Sequence, residues 1–406
     1  MKILHTADWH LGQKFHFKNR EKEHQFALDW LLETIQSLEI DLLIVAGDIF
    51  DMDNPPNYAR KLYYNFLQRL NTTCCQEVVI VAGNHDSANM LEAPKDLLQL
   101  FRVHVVGHIT DNRSEQIIEI KDKEGNLKAV VGAVPYLRDR DIRHNVAGET
   151  SEERASILKR GIRQHYEEIE TELAVYQDKN VPIIVTGHLF AAGGDRGDRI
   201  NRIHIGSLDV IDASSFSEQF DYVALGHLHR VQQIDKSRPI WYSGALIPLD
   251  FSELNYQQSV ILVEFEGKQI TNRKSIAVAL QRKLRHYKGD LEYIKAKLSN
   301  LDTAGGLPTW LKLEVETDLS LTAIGSDLEE ILKDKSAEII LLQKPRNTAA
   351  QQEAAEQLIV SLQDLDTLQV FEQCIEQTAS VSAEEVTELK GSFKELLNWM
   401  QERDEE

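Results

Sequence analysis

The chain has 406 residues, 42% of them apolar and 27% charged, with a formal net charge of −20. That length exceeds one core of ordinary size and predicts two or three domains. No apolar run approaches the roughly 20 residues that cross a bilayer. Met1-Lys2 leads straight into a strand and not into a signal peptide, so the expectation is a cytoplasmic protein with no membrane partner.

The elements predicted in chain order repeat one pattern. Residues 2–10, KILHTADWH, read as a short apolar strand ending in Asp8 and His10. Phe26, Trp30, Leu31, Ile35 and Leu38 recur at helical spacing and predict a crossover helix over 20–38. It leads into 41–51, DLLIVAGDIFD, a strand buried on both faces that presents Asp48 directly after a glycine. Pro55-Pro56 ends the next loop, and 57–70 reads as a second helix. Core packing explains its Tyr63, Tyr64, Phe66 and Leu67 better than a dimer seam. The adjacent Cys74-Cys75, like Cys374, lacks disulfide or zinc spacing. Residues 78–86, VVIVAGNHD, repeat the pattern, and a helix capped by Ser87 is expected over 87–101.

Segments 116–120 and 127–134 flank the turn Glu124-Gly125-Asn126 as a hairpin, and Thr150-Ser-Glu-Glu153 is a capping box opening a helix to about Tyr176. PIIVTGHL over 182–189 and DYVALGHLH over 221–229 close the series, with 191–201 between them as a substrate-side loop and further strands to about Glu266. A small α/β domain with none of these motifs is expected next, its strands over 278–286, 309–316 and 338–343 and its helices over 290–300 and 325–335. Pro345 begins a linker to helices over 367–377 and 382–400, the second opened by the capping box Ser382-Ala-Glu-Glu385. Val386, Leu389, Phe393, Leu396 and Met400 form an a/d stripe there that must pack on its own domains or on a partner. The division expected is 1–275, 276–345 and 346–406.

Carboxyl ends of strands are where loops converge around a crevice in α/β sheets. Five such ends in register would gather Asp8, His10, Asp48, Asn84, His188, His227 and His229, a metal-ligand inventory. Two divalent cations about 3.5 to 4 Å apart can drive an in-line phosphoryl displacement. Asp48 is the expected bridge, with Asp8, His10 and His229 on one ion and Asn84, His188 and His227 on the other. Oxygen and imidazole donors without thiolate suit manganese or iron better than structural zinc. His85 is expected to protonate the leaving oxygen or stabilise the transition state, with Asp86 holding one of its ring nitrogens, and Asp51 to support the loop or a ligand. The other histidines, His5, His16, His24, His104, His108, His144, His165, His204 and His286, read as structural. The charge argues against a nucleic-acid partner. Half of it, however, a net −10 from four basic and fourteen acidic residues, lies in 346–406, and bound cations would invert the field at the site.

In this order D-x-H, GD-x-x-D, GNHD, GH and GH-x-H resemble the calcineurin-like metallophosphoesterase superfamily, and their wording is similar to that of its DNA-repair nucleases. The resemblance implies a β-sandwich flanked by helices, a capping domain, and a terminal helix pair that grips the coiled coil of an ATPase subunit. It implies a manganese-dependent nuclease working as a homodimer within a heterotetramer, an exonuclease on double-strand ends and an endonuclease on single strands or hairpins. Archaeal and eukaryotic relatives carry a second catalytic His where Asp51 stands. Two rivals are a small-molecule phosphatase or phosphodiesterase, against which the 150 residues beyond the catalytic domain count, and a non-catalytic scaffold, which has no need of seven convergent ligands.

Overall fold

A computed structural model describes residues 1–142, 151–191, 211–303 and 305–345, with Leu389, Ser392 and Phe393. The chain divides into Met1–Gln343 and Lys344–Glu406. The terminal helices, the capping boxes at Thr150 and Ser382, His144, His204, Cys374 and the loop beyond Ala191 lie wholly or mostly outside the described residues.

Met1–Gln343 contains two six-stranded sheets. The first runs Gln269–Ala277, Ser259–Glu266, Lys2–Thr6, Leu42–Ala46, Glu77–Val81 and Val103–Val106 in spatial order. Its last four strands are parallel, and the first two join antiparallel. The second runs Gln232–Gln233, Ile240–Tyr242, Tyr222–Gly226, Ile183–His188, Leu127–Gly132 and Ile117–Lys121, parallel in its middle four.

Continuous apolar runs follow from the period of two. In Leu42–Ala46, Leu43 and Val45 enter a core with the helices Glu21–Leu38 and Asn57–Leu70, while Leu42 and Ile44 point into a second core. That second core is shared with Ile184, Tyr222 and Ala224 of the other sheet. Ile183 and Val185 of that sheet face outward onto Ile162, Tyr166 and Ile169 of the helix Ser151–Leu173. The result is a β-sandwich with helices on both outer faces. Each fully buried Leu or Ile adds about 2 kcal/mol by leaving water, which fixes the register and hence the alignment of the strand ends.

Five features differ from the sequence reading, one being the small domain's second helix, which is Leu321–Leu332 and not 325–335 because Ser320 caps it by accepting Ala323 N–H. The helix expected over 87–101 is two short ones, Ala88–Glu92 and Lys95–Gln99, separated at Pro94, which has no N–H to continue the ladder. Ser87 precedes the first without a side-chain capping bond among the described residues. Gln269–Ala277 is a strand no apolar pattern announced, because it is a mostly exposed edge strand. In the small domain the first strand is Arg282–Asp290, not 278–286, since Val278 is buried in the first core and its N–H bonds Gln258 O at 2.9 Å.

Arg282–Asp290, Leu307–Glu316 and Ala337–Gln343 form a three-stranded parallel sheet. Helices Leu291–Ser299 and Leu321–Leu332 pack on it through Ile294, Leu298, Ile324 and Leu328. In Asn57–Leu70, Tyr63, Phe66 and Leu67 are buried and Tyr64 is 40% exposed.

Candidate metal centre

Parallel register brings the ends of five strands together: Thr6 lies beside Val45, Ala46 beside Val81, and Gly226 beside His188. The chain then turns sharply at each end. Asp8, His10, Asp48 and His227 have φ of 53°, 45°, 51° and 100°, a left-handed backbone that costs non-glycine residues free energy. Backbone bonds hold two of these turns, Asp8 N–H to Gly47 O at 3.0 Å and His10 N–H to Asp48 O at 3.0 Å. Gly47, at φ 88°, is required twice over, because a Cβ there would sit 2.2 Å from His188 Nδ1.

The structure brings all seven candidate ligands together. Asp8, His10 and His229 converge within 4.8 Å, as do Asp48, His188 and His227. Asn84 Oδ1 lies 3.1 Å from His188 Nε2 and 3.0 Å from His227 Nδ1. Asp48 Oδ2 stands between the groups, 3.2 Å from His188 Nε2 and 3.5 Å from His10 Nε2.

The set fits a divalent metal. Among the described residues His10 Nε2 is buried without a hydrogen-bond partner, a cost that a cation would remove. The donors are imidazole, carboxylate and amide oxygen, the chemistry of hard and borderline ions. Second partners orient the rings: His188 Nδ1–H donates to Ala46 O at 2.9 Å and His10 Nδ1 meets Asp51 Oδ1 at 3.0 Å.

Electrostatics inside the site are strong. Burial alone would raise Asp48, but the charge and hydrogen bond of His188, with His10 and His85 nearby, hold it well below the usual carboxylate range. Burial pushes His188 down, yet Asp48 and Asp8 outweigh it and bring it to about 9. Burial raises Asp8 despite the neighbouring imidazoles.

Asp86 and His85 are arranged differently from expectation, while Asp51 supports a candidate ligand as expected. The Asp86 carboxylate does not hold the His85 ring. It is fully buried and accepts the N–H groups of Gly83, Ile49 and Phe50 at 2.8, 3.1 and 2.9 Å. Burial and the charge of Asp48 raise its pKa to about 7, against the pull of those amides. Asp86 therefore ties the loop carrying Asn84 and His85 to the loop carrying Asp48. His85 Nδ1–H instead donates to Asp51 O at 2.9 Å, and its backbone N–H bonds Asp48 Oδ1 at 2.9 Å. Asp51 supports His10 through its carboxylate and His85 through its carbonyl.

Sequence reasoning missed Glu253. It is buried, with Oε1 2.8 Å from His229 Nδ1 and Oε2 accepting Leu249 N–H at 2.8 Å. The one local signal was Asp250, whose side chain accepts Ser252 N–H and starts the turn Phe251–Asn255.

Comparison with known proteins agrees with this geometry. Residues 1–231 match the family model described as calcineurin-like phosphoesterase, and 280–379 the model described as type 5 capsule protein repressor C-terminal domain. The chain is 37% identical over 373 residues to the D subunit of nuclease SbcCD from Escherichia coli (strain K12), covering 91% of this chain and 92% of that protein. It is similar to the same nuclease component of Rhodobacter capsulatus, at 36% identity over 66% of this chain and 67% of the relative, and of Bacillus subtilis, at 31% over 83% of each.

Proposed function

The chain belongs to the calcineurin-like phosphoesterase family, on the branch of the SbcD nucleases, and from that premise we propose that it cuts DNA as the nuclease component of an end-processing complex. It is a metal-dependent phosphodiester hydrolase. In our reading it acts as an ATP-dependent exonuclease on double-strand ends and an endonuclease on single strands and hairpins, in recombination, repair and replication. The observation that carries this reading is the convergence of seven donors from five strand ends into two adjoining groups.

Two manganese ions are assigned to those groups. Asp8, His10 and His229 would hold one and Asn84, His188 and His227 the other, with Asp48 shared between them. When bound, they activate water and neutralise the charge of an in-line displacement. The chain supplies the rest. Asp48 is kept ionised by His188, and Ala46 O fixes the His188 ring so that Nε2 is the ligating atom. His85 Nδ1–H is committed to Asp51 O, so in the imidazolium form Nε2 holds the second proton and can hand it to the leaving oxygen, returning the ring to its neutral Nδ1–H form. Residues 276–345 are assigned to capping the site and 346–406 to docking the SbcC ATPase, in a heterotetramer containing two copies of this chain.

The test is purified protein with manganese, offered a labelled hairpin, linear duplex and p-nitrophenyl phosphate, with and without the ATPase and ATP. Metal-dependent DNA cleavage is expected. Turnover of the small ester without cleavage of any DNA would overturn the proposal.

A further inference from the structure

His10 and His229 arrive on loops separated by more than two hundred residues, yet one hydrogen-bonded chain joins them. Gln13 N–H bonds His10 O at 3.0 Å, and Gln13 Nε2 donates to Leu249 O at 2.9 Å. Leu249 N–H donates to Glu253 Oε2, whose Oε1 accepts from His229 Nδ1, both at 2.8 Å. The fully buried Arg20 braces this chain from behind, donating to Gln13 Oε1 at 2.8 Å and Pro248 O at 2.6 Å.

The same network leaves the sandwich and enters the small domain. Arg20 pairs with Glu23 at 2.6 Å, and Glu23 accepts from Arg282 Nε at 2.8 Å. Arg282 lies over the ring of the small domain's Trp310 at 3.7 Å, and Trp310 stacks on Phe15 at 5.3 Å. Phe15 meets Phe251 edge-on at 5.0 Å, two residues before Glu253 on the same turn.

We propose that Glu253 is a positioning residue for the metal ligand His229, and that the small domain, through Trp310 and Arg282, clamps the turn on which Glu253 sits. The seating of the small domain then sets how firmly one of the two ions is held. A buried carboxylate only accepts, so it fixes His229 as the Nδ1–H tautomer, which keeps the ligating lone pair on Nε2. A glutamine has one acceptor oxygen where two donors, His229 Nδ1–H and Leu249 N–H, must be satisfied. Relief comes by moving the imidazole proton to Nε2, the atom the metal needs.

This inference rests on the two-ion reading of the site, and manganese titration separates the two. Wild-type protein that binds fewer than two ions would fail that reading itself. With two ions bound, Glu253→Gln is expected to weaken one binding step about 10- to 100-fold, the usual effect of losing such a partner, and to leave the other step in place. Trp310→Ala is expected to weaken the same step less. Nitrogen-15 NMR of the metal-free imidazoles gives a readout that needs no metal: His229 should pass from the Nδ1–H to the Nε2–H tautomer in Glu253→Gln. Unchanged binding steps and an unchanged tautomer would overturn the proposal. So would equal weakening of both steps together with a lowered melting temperature, since that is what a merely structural Glu253 would give.

Discussion

Replacing Gly226 by alanine tests whether the strand ends must approach as closely as the metal centre requires. A Cβ on Gly226 would lie 1.9 Å from Ala46 O and 2.9 Å from both Ala7 Cβ and His188 Nδ1. The carbonyl is backbone of a central strand and already accepts the His188 Nδ1–H bond. The contact is about 1.5 Å short of ordinary separation at 3.4 Å, so the two sheets must part locally. Overpacking of this kind costs about 1–3 kcal/mol, and loss of the His188 bond about 1 more. Gly226→Ala should therefore lose about 3 kcal/mol in urea unfolding of the metal-free protein. It should also lose manganese from the Asp48, His188 and His227 group, because that ring is no longer fixed. A variant within about 0.5 kcal/mol of wild type, the range of an ordinary surface change, and with full metal content would refute the packing argument.

His85→Gln should keep both ions and the fold yet lose DNA cleavage by about 100-fold or more, the scale of a lost general acid; single-turnover cutting of a labelled duplex checks this, and near-wild-type rates would remove His85 from the chemistry. Each buried neutral histidine should contribute a loss of stability in acid. Burial lowers His5 to about 3 and His165 to about 4, so below the unfolded value of 6.5 the unfolded chain takes protons that the native state refuses. Stability is full above 6.5 and falls by about 1.4 kcal/mol per pH unit for each histidine as pH drops from 6 toward 4. Asp86, raised to about 7, takes a proton in the native state over part of this range and offsets one such slope, so the check is NMR titration of the His5 and His165 ring signals, and rings that protonate near 6.5 in the folded protein would show that they are not buried neutral.

The convergence of the seven candidate donors was legible in the sequence because each lies behind a largely apolar run, and such runs are strands buried on both faces. Parallel register then aligns their ends without further information. Asp86 and Glu253 were not legible in the same way. Nothing beside Asp86 in the chain says that its carboxylate will face three amides rather than the next imidazole, and Glu253 reaches His229 only after the turn at Asp250 brings it back across 24 residues. The strand Gln269–Ala277 was hidden for a different reason, since its pairing with Ser259–Glu266 is by backbone while most of its side chains stay in water. The helix expected over 87–101 was read from the cap position at Ser87, which says nothing of its continuity, and Pro94 inside it divides the segment.

In the proposed function Asp48 joins two ions held by donors from five strand ends. Anomalous diffraction from manganese-loaded crystals tests it most directly. Two peaks about 3.5 to 4 Å apart, flanking the Asp48 carboxylate and absent in Asp48→Ala, are the expected result. A single peak, peaks away from these donors, or two peaks retained in Asp48→Ala would contradict it.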